Sequence, residues 1–531
     1  MLMVIAGGRV IDPAHERDAV GDLWIEDGRI VAPPGRAPDA RHDAAGAIVM
    51  AGGIDIHSHI AGWNVNTARL LLPEQRRDGD FAAAPVAEHI GQLYAQMGFT
   101  TVVEPAISPS VALQAQLELA AIPIIDKAIL LVLGNEDFLL DLLRGGARGA
   151  VVADYAGRML TGAQALGVKV INPGAAAAFK LGARRFGLDD LVPEWDVSSR
   201  AIIRAMQDAT DALGIPHPVH LHCSNLGLPG NAETALATIA AAEGRRLHLA
   251  HLQFYAYGTE GARGFSSAAP RLAEAIAANP AITADVGQVM FGQTVTVSSD
   301  VMRQFGARGQ AHPRKSVIWE GEGNGVGIVP YRYRRRNFFN AVQWAAGLEL
   351  FLLVPDSSRL FFTTDHPNGA PFTTYPELFA LLMSRDLRAQ WIAELPEDAV
   401  AVTTLPAIAR EYSWAEIATM TRAAPARLLG LADRGHLAPG ARADVAVYRP
   451  QADLAAMFRE AALVFKDGAL VVRDGAVVAR PSGRVLAVSP GFDRAIERRL
   501  DDFANRAWGV AHSAFDVPAG IVPAEVVPCA A

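Results

Sequence analysis

Two cysteines in 531 residues, Cys223 and Cys529, are too few for a disulfide framework. The chain is therefore expected to fold unstapled in a reducing, cytoplasmic compartment. It also lacks an excess of positive charge. The formal net charge is −8, without the broad basic footprint of a nucleic-acid binder. Long apolar runs are missing too: stretches such as 128–133 are far shorter than the ~20 residues that cross a bilayer, so no membrane span is expected. The first residues carry no basic flank and run straight into strand-like sequence, so no signal peptide is read there. No internal repeat or low-complexity linker interrupts the chain, apart from a Pro/Ala-rich tail after about residue 513.

What is present is a hydrophobic content of 51%, enough for a large core. Both ends of the chain look β-rich. Near the start, short strands are split by Asp27-Gly28, a hairpin signal; near the end, Ala443–Tyr448 and Ala462–Lys466 lead into Asp467-Gly468 and Asp474-Gly475. Between them apolar strands alternate with amphipathic helices. Strands are expected over 47–55, 100–103, 168–172, 218–222, 247–252, 282–286 and 360–364, with helices over 87–97, 199–213, 232–243 and 271–278. Repeated βα units of this length favour a closed parallel barrel. The expected fold is α/β: a (β/α)8 TIM-like barrel over 52–431, flanked by a small β-sandwich from 1–51 and 432–490, with a tail over 491–531. The Gly-rich stretch 321–327 and residues 331–337 read as an inserted loop and edge.

The chain is organised around Gly53-Ile-Asp-Ile-His-Ser-His59. Strand side chains alternate, so His57 and His59, at the mouth of a buried strand, share a face and can reach one ion, with Asp55 on the same side. A lone histidine there would be unremarked; the pair gains weight because later strands end in the same chemistry. Pro218-Val-His-Leu-His222 offers His222, with His220 beneath it. Leu247-His-Leu-Ala-His251 offers His251, with His248 turned the other way and structural. Leu360-Phe-Phe-Thr-Thr-Asp365 ends in a carboxylate. Lys180 follows Ala175–Phe179. Taken alone it reads as a surface or snorkelling lysine, but within a His/Asp set a lysine carbamylated by CO2 would supply a bridging carboxylate. Imidazole and carboxylate donors suit Zn2+, with Mn2+, Fe2+ or Ni2+ as alternatives, and argue against Ca2+. Two such ions generate a nucleophile from water near neutral pH and polarise a carbonyl oxygen. With Asp365 as acid and base, the implied reaction is hydrolysis of a carbonyl–nitrogen bond.

Other residues read more blandly. Cys223 is a buried structural thiol rather than a nucleophile. Arg332, Arg334, Arg335 and Arg336 form a solvated edge or hold an acidic substrate tail. Asn66, Arg69, Asn225 and Asn231 are candidates to orient substrate by hydrogen bonding.

His57, His59, Lys180, His222, His251 and Asp365, in this order, resemble the amidohydrolase superfamily, and Gly435–Asp444 looks like its return into the sandwich. Several longer segments resemble the family of A components shared by formylmethanofuran dehydrogenase and the bacterial formyltransferase/hydrolase complex: 53–62, Asn172-Pro-Gly, 222–231, 327–334, 340–345, 363–376 and 420–423. The resemblance spans roughly 1–480, and its segment Thr363-Thr-Asp-His-Pro-Asn-Gly369 is quite specific. It implies a hydrolase subunit of a multi-subunit complex that converts an N-formyl-furfurylamine C1 carrier (formylmethanofuran or formylmethylofuran) to formate and free amine. It further implies two Zn2+ on the six residues, N6-carboxylysine at Lys180, Asp365 as acid/base, and a polyglutamylated carrier tail near the arginine run. Two other enzyme readings stand beside it: a cyclic amidase of hydantoinase or dihydroorotase type, and the formate-condensing subunit of an archaeal-type dehydrogenase. A third reading is a scaffold that has lost its metals, which the complete ligand set argues against.

Overall fold

The computed structural model describes residues 1–75, 87–147, 149–314, 319–320 and 327–530. Eight parallel strands build the central sheet: β1 (Gly53–Asp55), β2 (Phe99–Ile107), β3 (Asp126–Val132), β4 (Gly167–Ile171), β5 (His220–His222), β6 (Leu247–Leu249), β7 (Ile282–Asp285) and β8 (Leu360–Phe361). The sheet curls until its ends meet beyond β1 and β8. There a single parallel bridge joins Ser58 to His366, and the His59 N–H donates to the His366 carbonyl at 2.8 Å. The closure of the barrel thus falls on the His57-Ser-His59 segment.

Six of these strands were legible as apolar runs ending in polar residues, and β1 in part. The stretch expected over 47–55 is two strands. Ile48–Ala51 pairs with Val445–Tyr448 and Leu2–Asp12 in the terminal sheet, and the chain then crosses to open the barrel as β1. The strand β3 carries no such signal, since a continuous apolar run such as Ala128–Leu133 has no period to separate a buried strand from a buried helix.

The two chain ends form one nine-stranded sheet, mostly antiparallel, over its own apolar core of Met3, Ile5, Val10, Leu23, Val445 and Phe465. Its hairpins turn where Asp-Gly pairs stand: Asp27 and Gly28 have φ of 48° and 79°, and Asp467-Gly468 and Asp474-Gly475 repeat the pattern. Positive φ at both central residues matches the right-handed twist of the flanking strands, and glycine takes it without steric cost.

The segment expected as a tail is folded. Helix Ala495–Trp508 lies on helix Ala150–Ala163, and strand Ala524–Val526 pairs with Val485–Ala487, which itself pairs with the start of β3. Of the Gly-rich stretch 321–327, residues 321–326 lie outside the described residues. The flanking strands Gly292–Ser298, Trp319–Glu320 and Gly327–Tyr333 make a small antiparallel sheet inserted between β7 and β8. Among the described residues no helix is long and apolar enough to cross a membrane.

A buried ionic network ties barrel floor, terminal sheet and terminal strand together. Lys466 Nζ lies 3.1 Å from Asp126 and 2.9 Å from Asp444, while Arg434 reaches Asp126 and Glu525 at 2.9 Å each. Removing one partner leaves carboxylates buried without compensation, so Lys466→Met is expected to cost about 3–5 kcal/mol. Chemical denaturation checks this; a midpoint within error of the parent rules out a structural role for the network.

Candidate metal centre

The C-terminal ends of the barrel strands converge on a cavity of about 950 Å³ lined by His57, His59, Lys169, His222, His251 and Asp365, with Glu104 and Asn172 beside them. All six residues expected from sequence line this cavity, Lys180 as an exposed residue at its mouth and the other five beside one another. At the end of β1, His57 Nε2 and His59 Nε2 lie 3.1 Å and 3.4 Å from Asp365 Oδ1. One ligand atom from each of the three lies within 4.8 Å of the others, a grouping that fits one cation. On the next strands, His222 Nδ1 faces His251 Nε2 at 3.0 Å.

Each of three histidines is turned by a carboxylate. His57 Nδ1 lies 3.0 Å from Asp285 Oδ2 and His59 Nδ1 3.0 Å from Glu104 Oε1, which points their Nε2 atoms at the cavity. His222 is reversed: its Nε2 lies 2.8 Å from Asp300 Oδ2, so Nδ1 faces inward. Such partners fix the tautomer and orientation of a metal-binding imidazole. Backbone geometry contributes as well. His251 and Asp365 take left-handed φ of 36° and 50°, conformations that carry strain and cluster at functional sites. Gly287 lets them approach, since a Cβ there would strike His251 Cβ and come within 3.3 Å of Asp365 Cβ.

Two lysines line the cavity. Lys180 ends the short helix Ala175–Lys180, is exposed, and stands at the cavity mouth. The buried lysine is Lys169, in the middle of β4 at 1% exposure and in register with His220 of β5. Its Nζ has no hydrogen-bond partner among the described residues. The signal was present as a lysine inside Val168-Lys-Val-Ile171, one alternation below the strand end.

The remaining expectations divide. Asp55 is not aimed at the cation group; it accepts from the Tyr94 and Tyr375 hydroxyls at 2.8 Å and 2.5 Å and from the His57 N–H at 3.0 Å. His220 lies beneath His57 rather than His222, 2.9 Å from His57 Nδ1 and 3.0 Å from His217. His248 is held by Thr283 and Asp285. Arg69 is spent on Glu118 and the Ile60 carbonyl, and Asn66 bonds Arg69 and Glu118. Asn225 clamps Phe186 through both its N–H and carbonyl, and Asn231 holds the carbonyls of Asn225 and Phe254. These four side chains shape loops and do not line the cavity. Arg332 on the inserted sheet and Arg334 just after it are exposed, also outside the cavity wall. The wall instead carries Trp63, Asn64, Phe179, Arg184, Ser298 and Arg303.

The electrostatics of the cavity follow from burial and from the carboxylates beside its imidazoles. Burial opposes charge on His59, but Glu104 and Asp365 outweigh it and hold the ring up at about 9. Burial would raise the Asp365 carboxyl, yet His251 and His57 keep it well below the usual range. Burial drives His251 well below an ordinary imidazole and pushes the Lys169 amine down to about 8 against the pull of Asp285 and Asp365. The Cys223 thiol is pushed up to about 12 by burial, an inert structural group. Lys169 Nζ and His57 Nε2, buried without a hydrogen-bond partner among the described residues, add to a donor set of imidazoles and carboxylate that fits divalent metal.

A barrel closed at a His-x-His strand end, with further histidines and an aspartate on later strands, defines a class. The chain belongs to the amidohydrolase family, whose model matches residues 42–479. Within it, the sequence is 51% identical to the A component of the formyltransferase/hydrolase complex Fhc of Methylorubrum extorquens, over 98% of each chain. It is 36% identical to protein FwdA of Methanocaldococcus jannaschii, over 84% of this chain and 83% of that one. The crystal structure of the FhcABCD complex from Methylorubrum extorquens with methylofuran contains a chain that matches with a TM-score of 0.94 at 50% identity, covering 100% of both.

Proposed function

We propose that this chain hydrolyses the N-formyl group of a furfurylamine C1 carrier, a formylmethanofuran or formylmethylofuran, to formate and free amine. It does so as the hydrolase subunit of a cytoplasmic formyltransferase/hydrolase-type complex. The observation that carries the reading is the meeting of His57, His59, Lys169, His222, His251 and Asp365 on one cavity, in a chain half identical over its whole length to the A component of Fhc.

Two divalent ions, zinc by the donor chemistry, would be held by His57, His59 and Asp365 on one side and by His222 and His251 on the other, with carboxylated Lys169 between them. Bound there, they supply Lewis acidity and lower the pKa of water. The chain's own residues do the rest. A buried amine at about 8 is roughly a quarter neutral at pH 7.5, against about one in a thousand for an ordinary lysine, so Lys169 is primed to take up CO2. Among the described residues the side-chain contacts of Asp365 fall on Oδ1. Oδ2 is the oxygen we assign to take the proton from water and return it to the leaving nitrogen. Phe179 and Trp63 supply apolar surface for a furan ring, and the exposed cations Lys180 and Arg184 at the mouth, rather than Arg332 and Arg334, meet an acidic tail.

Formate release from N-formylfurfurylamine by the purified complex, lost on chelation and restored by Zn2+, is the expected result. Turnover of a ring amide without formate release would overturn the reading in favour of a cyclic amidase.

Metal uptake carries its own pH signature. Protons on His59 (about 9) and Lys169 (about 8) must leave before either group can act, so loading of the apoenzyme with Zn2+ and bicarbonate rises from pH 7 to 9 and then flattens. Each displaced proton contributes up to about tenfold in apparent affinity per pH unit below its pKa. Uptake that is flat or falling over this range contradicts the assignment.

A further inference from the structure

Three carboxylates orient three of the histidines, and they differ in origin. Glu104 and Asp285 belong to barrel strands β2 and β7. Asp300 does not: it follows strand Gly292–Ser298 on the small sheet inserted between β7 and β8. It is fully buried. Its oxygens accept from Asn172 Nδ2 at 3.1 Å and 3.2 Å, from the Arg303 guanidinium and from Ser298 Oγ at 3.4 Å, besides the His222 contact at 2.8 Å. Arg303 is itself fixed over the Phe179 ring, 4.4 Å from its centre.

An ionised carboxylate only accepts, so His222 Nε2 must carry the hydrogen and Nδ1 must hold the lone pair. That is the nitrogen 3.0 Å from His251 Nε2. His251 has no comparable partner: its Nδ1 is buried and unbonded among the described residues. The tautomer of the His222/His251 pair is therefore set from the His222 side alone, by a residue of the insertion.

We propose that Asp300 is a positioning residue for the second cation site, and that the inserted segment rather than the barrel makes that half of the centre competent to bind metal. The inference rests on the two-ion reading of the cavity. Asp300→Asn keeps the shape but lets the amide N–H donate to His222 Nε2, which moves the imidazole hydrogen to Nδ1 and blocks the inward nitrogen.

The test compares metal content after equilibrium dialysis against buffered Zn2+ for the full-length wild type and Asp300→Asn, together with 15N spectra of the histidine-labelled apoproteins. The His222 signals are assigned by their loss in His222→Asn. Wild type is expected to hold two ions and the variant one, with affinity for the second ion lowered about 10- to 100-fold. The His222 ring is expected to carry its hydrogen on Nε2 in wild type and on Nδ1 in the variant. Two ions bound by the variant at wild-type affinity would overturn the role of Asp300 alone. A wild-type His222 carrying its hydrogen on Nδ1 does the same, and needs no folded variant. Fewer than two ions on wild type would instead overturn the two-ion reading, and the inference with it.

Discussion

Lys169→Ala is expected to lower turnover on the order of 10³-fold, about 4 kcal/mol of transition-state stabilisation, and to leave the protein with at most one bound ion. An ammonium at 1% exposure with no hydrogen-bond partner among the described residues is an expensive thing to keep in a barrel. The depression of its pKa to about 8 is how that cost is expressed. Removing it should leave the metal-free fold as stable as the parent or more so, which separates a chemical role from a structural one. A lysine kept there for packing predicts the reverse, an unstable variant with its ions in place. The void left by the side chain is open to a small carboxylate, so millimolar acetate or propionate is expected to restore part of the activity of Lys169→Ala. Lys180→Ala is the matched comparison. It is exposed at the cavity mouth and should keep both ions and kcat while raising KM for a carrier with an acidic tail. Metal analysis and steady-state kinetics on the two variants decide the matter; loss of metal from Lys180→Ala, with Lys169→Ala intact, would reverse the assignment.

That pair also marks where the sequence was readable. The histidines and Asp365 sit at the ends of apolar strands, where the change from buried to polar is visible along the chain and strand alternation gives the shared face. Lys169 sits one alternation below the end of β4, inside an apolar run, where an isolated charge reads as noise until the register places it beside His220 of β5. Lys180 stands out along the chain because it follows four alanines and a phenylalanine, a local contrast with no bearing on which way the chain turns after β4. Asn225 and Asn231 fail for a related reason. A polar residue after a ligand-bearing strand has two uses, substrate or loop, and only tertiary contacts show that both amides are consumed by backbone groups. Asp300 had no local signal at all: it stands 78 residues from His222 on an element outside the βα repeat.

Asp365→Asn is the second large expectation: kcat should fall about 10³- to 10⁴-fold with metal still bound, because a positioned acid/base supplies up to that factor and an amide oxygen can occupy the place of Oδ1 but cannot carry the proton. The amide preserves shape, with the left-handed backbone at φ 50° and the Asn368 and Thr363 contacts unchanged in kind. A second effect has the opposite sign and guards against a trivial explanation. The ring of His59 is held up at about 9 by two carboxylates, Glu104 and Asp365. With one neutralised, burial regains ground, the imidazole gives up its proton at lower pH, and the pH at which the apoenzyme loads metal shifts downward. Turnover is then lost at every pH while the pH profile of metal uptake moves toward acid. A merely misfolded site would lose both together. A variant within about tenfold of wild type would remove Asp365 from proton transfer and leave it as a ligand alone.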